Sequence, residues 1–364
     1  MNEFEDQCEL NLAETCVSSF TVREFLELCG KADTFLEDLL PMHLTYGAIR
    51  GSDRLRSVIS ELYETQTPDN ILVTHGTIGA NALVHETLVS PGNRVISVQP
   101  TYQQHYAIPE SYGADVQIFQ LRPENNFLPD LDELRRLATR ETELIAINNP
   151  NNPTGALMPE DMLGEIAEIA RSCDAYVLSD EVYRGMDHHG DGFTASIADI
   201  YEKGISTAGM SKAFSLAGIR IGWIVAPLHV VEQVSIHRDY NTISVGMIND
   251  YMAAIALENR EKILERSRRL VQTNLKVLSD WIDSETGISW VKPRSGTTAF
   301  IRYDLSLSSH DFCVQLLKET GVMLTPGSAF EMEGWLRIGY ANQTAILTEG
   351  LDRLSSFLSS VRTS

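Results

Sequence analysis

The stretch Glu143–Tyr183, "ELIAINNPNNPTGALMPEDMLGEIAEIARSCDAYVLSDEVY", decides the fold. It opens on a short apolar run, "ELIAIN", passes through a turn-rich segment, "NNPNNPTG", continues as an amphipathic run, "MLGEIAEIARS", and returns to an apolar run, "AYVLS". Short apolar runs bounded by turn residues read as buried strands, whereas apolar residues recurring at helical spacing read as a helix packed on one face. The stretch is one strand, one helix and a second strand.

The same alternation extends upstream to about residue 70: "ILVTHG" then "ALVHETLV", "RVISV" then "YQQHYAIPESYG", "DVQIFQL" then "LDELRRLA". Repeated strand–helix units imply an α/β fold with a mostly parallel sheet flanked by helices on both faces. Downstream the text changes. Asn249 to Trp281 reads as one long helical pattern, followed by "TTAFIRY", "DFCVQLLKETG", "VMLTPG", "WLRIGY" and a closing helix, "AILTEGLDRLSSFLSSV". The expected organisation is an N-terminal segment (1–40) packing on the small domain, a large domain (41–240), and a smaller α+β domain (241–364). No internal repeat or low-complexity linker separates independent modules.

With 364 residues and 43% apolar content the chain can bury a large core. The 29 basic and 50 acidic side chains leave a net charge of −21, which repels phosphate backbones and anionic lipid, so neither nucleic acid nor membrane is an expected partner. The densest basic run, Arg266 to Arg269 in "ERSRRL", sits among acids at helical spacing and reads as a solvated helix face. Cys8, Cys16, Cys29, Cys173 and Cys313 are odd in number and lack metal-type spacing, which argues against a zinc site or a disulfide framework. The amino end, "MNEFEDQCEL", is acidic where a secretory signal is basic and then apolar, and no apolar stretch approaches the roughly 18 residues of a membrane span. A soluble, cytoplasmic protein is expected.

In sheets of this type ligands gather at the carboxyl ends of the strands. After "ILVTH" come Gly76, Thr77, Ile78 and Gly79, a strand-to-helix turn whose free amides suit a phosphate or merely connect two elements. After "RVISV" comes Tyr102, a platform for a planar ligand or a packing residue. Asn152 follows the fourth strand, "ELIAIN", and Asp180 and Tyr183 follow the fifth, "AYVLS". Asp180 has three readings: a helix cap, a metal ligand, or half of an acid–base pair with Glu181. The last is disfavoured, because adjacent residues on an extended segment point to opposite faces. "MDHHGDG", with Asp187, His188, His189 and Asp191, reads as a solvent-exposed loop rather than a metal site.

"NNPNNPTG", "SDEVY", "GMSKAFSLAGIRIGW" and "GWLRIGYA", in this order, resemble the signature set of the class I/II pyridoxal-phosphate-dependent aminotransferases, which have the aspartate aminotransferase fold, fold type I. The resemblance runs from about Tyr46 to Tyr340. It implies pyridoxal 5′-phosphate as cofactor, a homodimer, and an amino acid and a 2-oxo acid as substrates.

By the same resemblance Lys212 is the amine that condenses with the cofactor's aldehyde as a Schiff base and later carries the Cα proton. Asp180 faces the pyridine nitrogen and keeps it protonated. Asn152 and Tyr183 hydrogen-bond the phenolic oxygen, Tyr102 stacks on the ring, and the phosphate rests at Gly76, Thr77 and Ile78 with Arg220 as counter-charge. Where the family often has a phosphate-binding serine three positions before the lysine, this chain has Gly209, so that contact is either missing or supplied by Ser211 or Thr207. Tyr46 matches a tyrosine that reaches the neighbouring subunit's phosphate, and Arg337 the arginine that clamps the substrate's α-carboxylate. Glu14 in "NLAETC" is expected near the substrate entrance, and reads either as a surface carboxylate or as a group that favours a basic side chain. No second arginine is placed to meet an ω-carboxylate. The same fold type also hosts eliminating lyases and ring-closing synthases, which stand as the alternative to transamination.

Overall fold

The computed structural model describes residues 4–190 and 192–363. Its strands are β1 (Leu10–Asn11), β2 (Ile71–His75), β3 (Arg94–Gln99), β4 (Asp115–Gln120), β5 (Thr142–Asn148), β6 (Tyr176–Asp180), β7 (Gly204–Gly209), β8 (Ile221–Val225), β9 (Ile288–Trp290), β10 (Thr298–Tyr303), β11 (Val322–Met323), β12 (Thr325–Pro326) and β13 (Trp335–Gly339).

The stretch Glu143–Tyr183 folds as β5, the helix Glu160–Cys173 and β6, with β5 and β6 parallel neighbours. Alternation along the strands feeds both faces. Ile145, Ile147 and Val177 join the core under the helix Glu160–Cys173, while Leu144 and Leu178 join the opposite core under the helix Gly76–Leu88. The helix Glu160–Cys173 buries Leu163, Ile166 and Ile169 and places Glu160 and Asp161 in its first turn, where acids complement the helix dipole. Each such leucine or isoleucine contributes roughly 2 kcal/mol through the apolar area it removes from water.

The large sheet has the order β2-β8-β7-β6-β5-β3-β4. Only β8 runs against its neighbours, β2 and β7. The carboxyl ends of β2, β3, β5, β6 and β7 therefore share one edge, and β8 starts there. That edge carries the site.

A second sheet, β12-β13-β10-β9, is antiparallel. The helices Ser309–Thr320 and Thr344–Thr363 pack together through Phe312 and Phe357, whose ring centroids lie 5.2 Å apart. β1 pairs in parallel with β11, which fastens the N-terminal segment beside this sheet.

The long helical pattern of Asn249 to Trp281 is broken into two helices, Met247–Glu258 and Arg260–Ser284. Asn259 between them leaves helical geometry (φ −111°, ψ 21°), and its side chain donates to the Ile255 carbonyl at 3.0 Å. A short amide that bonds its own backbone offers the chain this alternative, and periodicity alone does not register it.

Candidate active site

The phosphate-type turn is built backbone against backbone. Gly76 opens its helix at φ +71°, a conformation L side chains rarely adopt, and a Cβ there would lie 3.0 Å from an Arg220 guanidinium nitrogen. Gly222 in β8 faces it so closely that a Cβ would meet the Gly76 carbonyl carbon at 2.3 Å. Arg220 follows a short turn with φ +53°, and its Nη1 donates to the Ala217 carbonyl at 3.1 Å. Thr77 is buried, and its hydroxyl has no hydrogen-bond partner.

Gly209, at the end of β7, packs directly against Thr77. A Cβ there would stand 2.5 Å from Thr77 Oγ1, so the Thr77 hydroxyl occupies the space a larger residue at 209 would need. Thr207 does not fill that role, because its hydroxyl donates to Asn81 Oδ1 at 2.6 Å. Ser211 lines the cleft, half-buried. Unpaired amides at a helix start, an unpaired buried hydroxyl and an arginine suit a phosphate group.

At the ends of β5 and β6 the side chains are buried and mutually bonded. Asp180 Oδ2 accepts from Asn81 Nδ2 at 2.8 Å and Oδ1 from the Val182 amide at 3.1 Å. His105 Nε2 lies 3.4 Å from the same carboxylate. Asn148 donates to the Asp180 carbonyl at 2.8 Å and accepts from the Asn152 amide at 2.6 Å, which positions Asn152 beside Asp180. Tyr183 is buried, whereas Tyr102 is partly exposed at the rim. Glu181 points the other way and accepts from Ser196, Ser206 and the Ile197 amide, so it does not pair with Asp180.

Lys212 enters from beyond β7. Its Nζ donates to the Thr15 hydroxyl, lies 3.4 Å from Cys16 Sγ and stands 3.9 Å from a Glu14 oxygen. Burial pulls the proton affinity of this amine down, but Tyr183, Cys16 and Glu14 outweigh it and the net direction is upward. Burial pushes the Glu14 carboxyl up, and Lys212 together with the Thr15 and Cys16 amides more than reverses that. Cys16 is driven up to about 11, chiefly by burial.

Arg337, in the middle of β13, is buried and closes the opposite side. Its guanidinium donates to Asn152 Oδ1 at 3.1 Å, to the Ala13 carbonyl at 2.9 Å and to the Thr325 hydroxyl at 3.0 Å, all neutral acceptors. Nε is buried with no hydrogen-bond partner. Burial lowers the proton affinity of this group, with Tyr183 and Glu14 acting against the shift.

Glu14, Gly76, Thr77, Ile78, Tyr102, Asn152, Asp180, Tyr183, Ser211, Lys212, Arg220 and Arg337 thus line one cleft of about 390 Å³. Tyr46 does not line it; its side chain is 75% exposed. Asn81, Asn148, Thr15 and Cys16, which the sequence reading did not single out, do. The one signal for Asn81 was its spacing, because it follows Thr77 by one helical turn on a buried stripe that continues to His85. The "MDHHGDG" loop corrects an expectation. Asp187 and His188 are buried, because Ser295 donates to Asp187 at 2.8 Å and the His188 ring lies 3.2 Å from the Pro293 carbonyl and 3.1 Å from the Tyr340 hydroxyl. Asp191 lies outside the described residues. Arg266 and Arg268 also depart from a solvated face, bonding the Ser18 and Gly185 carbonyls.

The family model described as aminotransferase class I and II matches residues 38–354. This chain belongs to that family. It is a pyridoxal-phosphate-dependent aminotransferase of fold type I, acting on amino acids and 2-oxo acids. Its structure superimposes on a crystal structure of a PLP-dependent aminotransferase from Streptococcus suis 89-1591 with a TM-score of 0.96 and 42% identity, covering 99% of this chain and 96% of that one. Among curated proteins it is 29% identical over 353 residues to capreomycidine synthase of Streptomyces vinaceus, 97% of this chain and 90% of that protein. It is 30% identical over 310 residues to an aspartate aminotransferase of Thermotoga maritima, 83% of this chain and 79% of that protein. No helix among the described residues is long and apolar enough to cross a membrane.

Proposed function

We propose that this aminotransferase works through Lys212, in the cleft it shares with Asp180 and Arg337, and that it acts on amino acids lacking an ω-carboxylate. The observation that carries the reading is the cleft's division of charge: one amine, one buried carboxylate bonded only by donors, and one buried guanidinium with an open Nε. Pyridoxal phosphate supplies, when bound, a carbonyl that condenses with amines and a ring that takes up the electron pair of a broken Cα–H bond.

The chain's own groups do the rest. Thr77, through amide and hydroxyl, holds the phosphate with Gly76, Ile78, Ser211 and Arg220. Asp180 holds a proton on the pyridine nitrogen, Asn152 and Tyr183 bond the phenolic oxygen, and Tyr102 covers the ring face. Arg337 orients the substrate by its α-carboxylate, so that the Cα proton faces the Lys212 amine, which removes it. Glu14, beside Lys212, favours a basic side-chain end.

We assign residues 41–240 to the cofactor-holding domain, 241–364 to the domain bearing the carboxylate clamp, and 1–40 to a segment packed on the latter. The protein is read as a homodimer with Tyr46 contributed across the interface. Support comes from exposed apolar side chains at Leu36, Leu40, Leu44, Tyr240 and Ile248, in addition to the exposed Tyr46. A cytoplasmic location fits five cysteines without a disulfide among them.

One comparison favours a second reading. The similarity to capreomycidine synthase spans nearly the whole chain, so a ring-closing or eliminating reaction on the same cleft is the alternative. The test is a half-reaction: purified holoenzyme is mixed with single amino acids and no acceptor. Transamination releases one equivalent of 2-oxo acid per site and then stops with the visible band lost. Continued turnover without acceptor, with the band retained, would overturn transamination in favour of the lyase or synthase.

A further inference from the structure

We infer that Asn81 is a positioning residue which, oriented by Thr207, sets how strongly Asp180 holds its proton partner; the inference rests on the reading that Asp180 faces the cofactor's pyridine nitrogen. Asn81 is 1% exposed and every polar position of its carboxamide is bonded. Nδ2 donates to Asp180 Oδ2 at 2.8 Å and to Gln104 Oε1 at 3.3 Å, and Oδ1 accepts from the Thr207 hydroxyl at 2.6 Å.

The polarity of this chain is forced. An ionised carboxylate only accepts, so the amide must turn its nitrogen toward Asp180. Its oxygen then faces Thr207, which must be the donor. Thr207 sits on β7 and Asp180 on β6, as directly paired residues of adjacent parallel strands, so the sheet itself fixes the distance that Asn81 spans from the helix Gly76–Leu88. His105 approaches the same oxygen at 3.4 Å but makes no hydrogen bond to it. Asn81 is therefore the side-chain donor that controls this oxygen.

A donor to a carboxylate lowers its hold on a shared proton. With Asn81 in place the proton stays on the nitrogen facing Asp180; without it the proton moves toward Asp180 and the ring becomes a weaker electron sink. A hydrogen bond to a charged group of this kind corresponds to about tenfold to a hundredfold in the rate of Cα–H cleavage. The helix that carries Thr77 at the phosphate end thereby also governs the ring end, one turn further along.

The test reconstitutes wild type, Asn81→Ala, Thr207→Val, Thr207→Ser and Asp180→Ala with cofactor labelled with ¹⁵N in the ring, and reads the nitrogen resonance. The resonance is expected to move toward the unprotonated position in Asn81→Ala, less so in Thr207→Val, and to stay put in Thr207→Ser, which keeps the hydroxyl. In parallel, half-reaction rates are compared with pyridoxal phosphate and with its 1-deaza analogue, which has no ring nitrogen. The Asn81→Ala defect should shrink to within about twofold with the analogue, since the two perturbations then act on one element. If Asn81→Ala does not hold cofactor, Thr207→Val carries the test. An unmoved resonance in Asn81→Ala and Thr207→Val, while Asp180→Ala moves it, would overturn the relay alone. An unmoved resonance in Asp180→Ala would instead overturn the reading beneath it. A defect that persists undiminished with the deaza analogue would make Asn81 merely structural.

Discussion

Asp180 and Arg337 are both buried charges in one cleft, and they are held in opposite ways. Asp180 is an anion whose side-chain contacts come from helices packed on the large sheet, at Asn81 and the nearby His105, and from the Val182 amide in the turn after β6. Arg337 is a cation whose guanidinium donates to Ala13 and Asn152, far along the chain, and to Thr325 on the paired strand β12, and none of these acceptors carries a charge. A buried carboxylate surrounded by donors is at rest, whereas a buried guanidinium with neutral acceptors and an open Nε is costly until an anion arrives. One end of the cleft is finished by folding; the other is finished by ligand.

That difference orders the expected effects of substitution. Asp180→Ala removes the finished end, and we expect kcat to fall by about a hundredfold to a thousandfold with cofactor bound more loosely, as for loss of a preorganised electrostatic group. Near-normal turnover would show that the buried anion is structural. Arg337→Met removes the unfinished end and should act on binding: KM for amino acid and 2-oxo acid should rise by about tenfold to a hundredfold, the range of a charged hydrogen bond, with a smaller change in kcat. A fall in kcat with KM unchanged would reverse the comparison. Glu14→Ala should be mildest, shifting relative kcat/KM away from basic amino acids by no more than about tenfold, because half-exposed charges are well screened. Identical ratios in wild type and variant would remove Glu14 from recognition.

The same contrast explains what was legible in the sequence. The α/β class and the strand ends were readable because each strand's apolar run and the residue that follows it are contiguous, as in "AYVLSD". Arg337 and Lys212 stand in short motifs, and a resemblance to a family was enough to single them out. Asn81 was not readable, because its importance depends on β6 and β7 bringing Asp180 and Thr207 to either side of one amide. The burial of His188 likewise depends on carbonyls of Pro293 and Gly296, supplied from far along the chain. Gly209 departs from the motif for a reason only the fold supplies: Thr77 Oγ1 stands where a side chain at 209 would be. Local pattern names the residues that act at strand ends; only packing names those that act through them.

The central claim is that Lys212 is the amine that holds the cofactor, and covalent mapping tests it most directly. Holoenzyme is reduced with borohydride, digested, and its peptides are weighed. The account predicts a single pyridoxyl-phosphate adduct on the peptide containing Lys212. An adduct on another lysine, or none in protein saturated with cofactor, would contradict it.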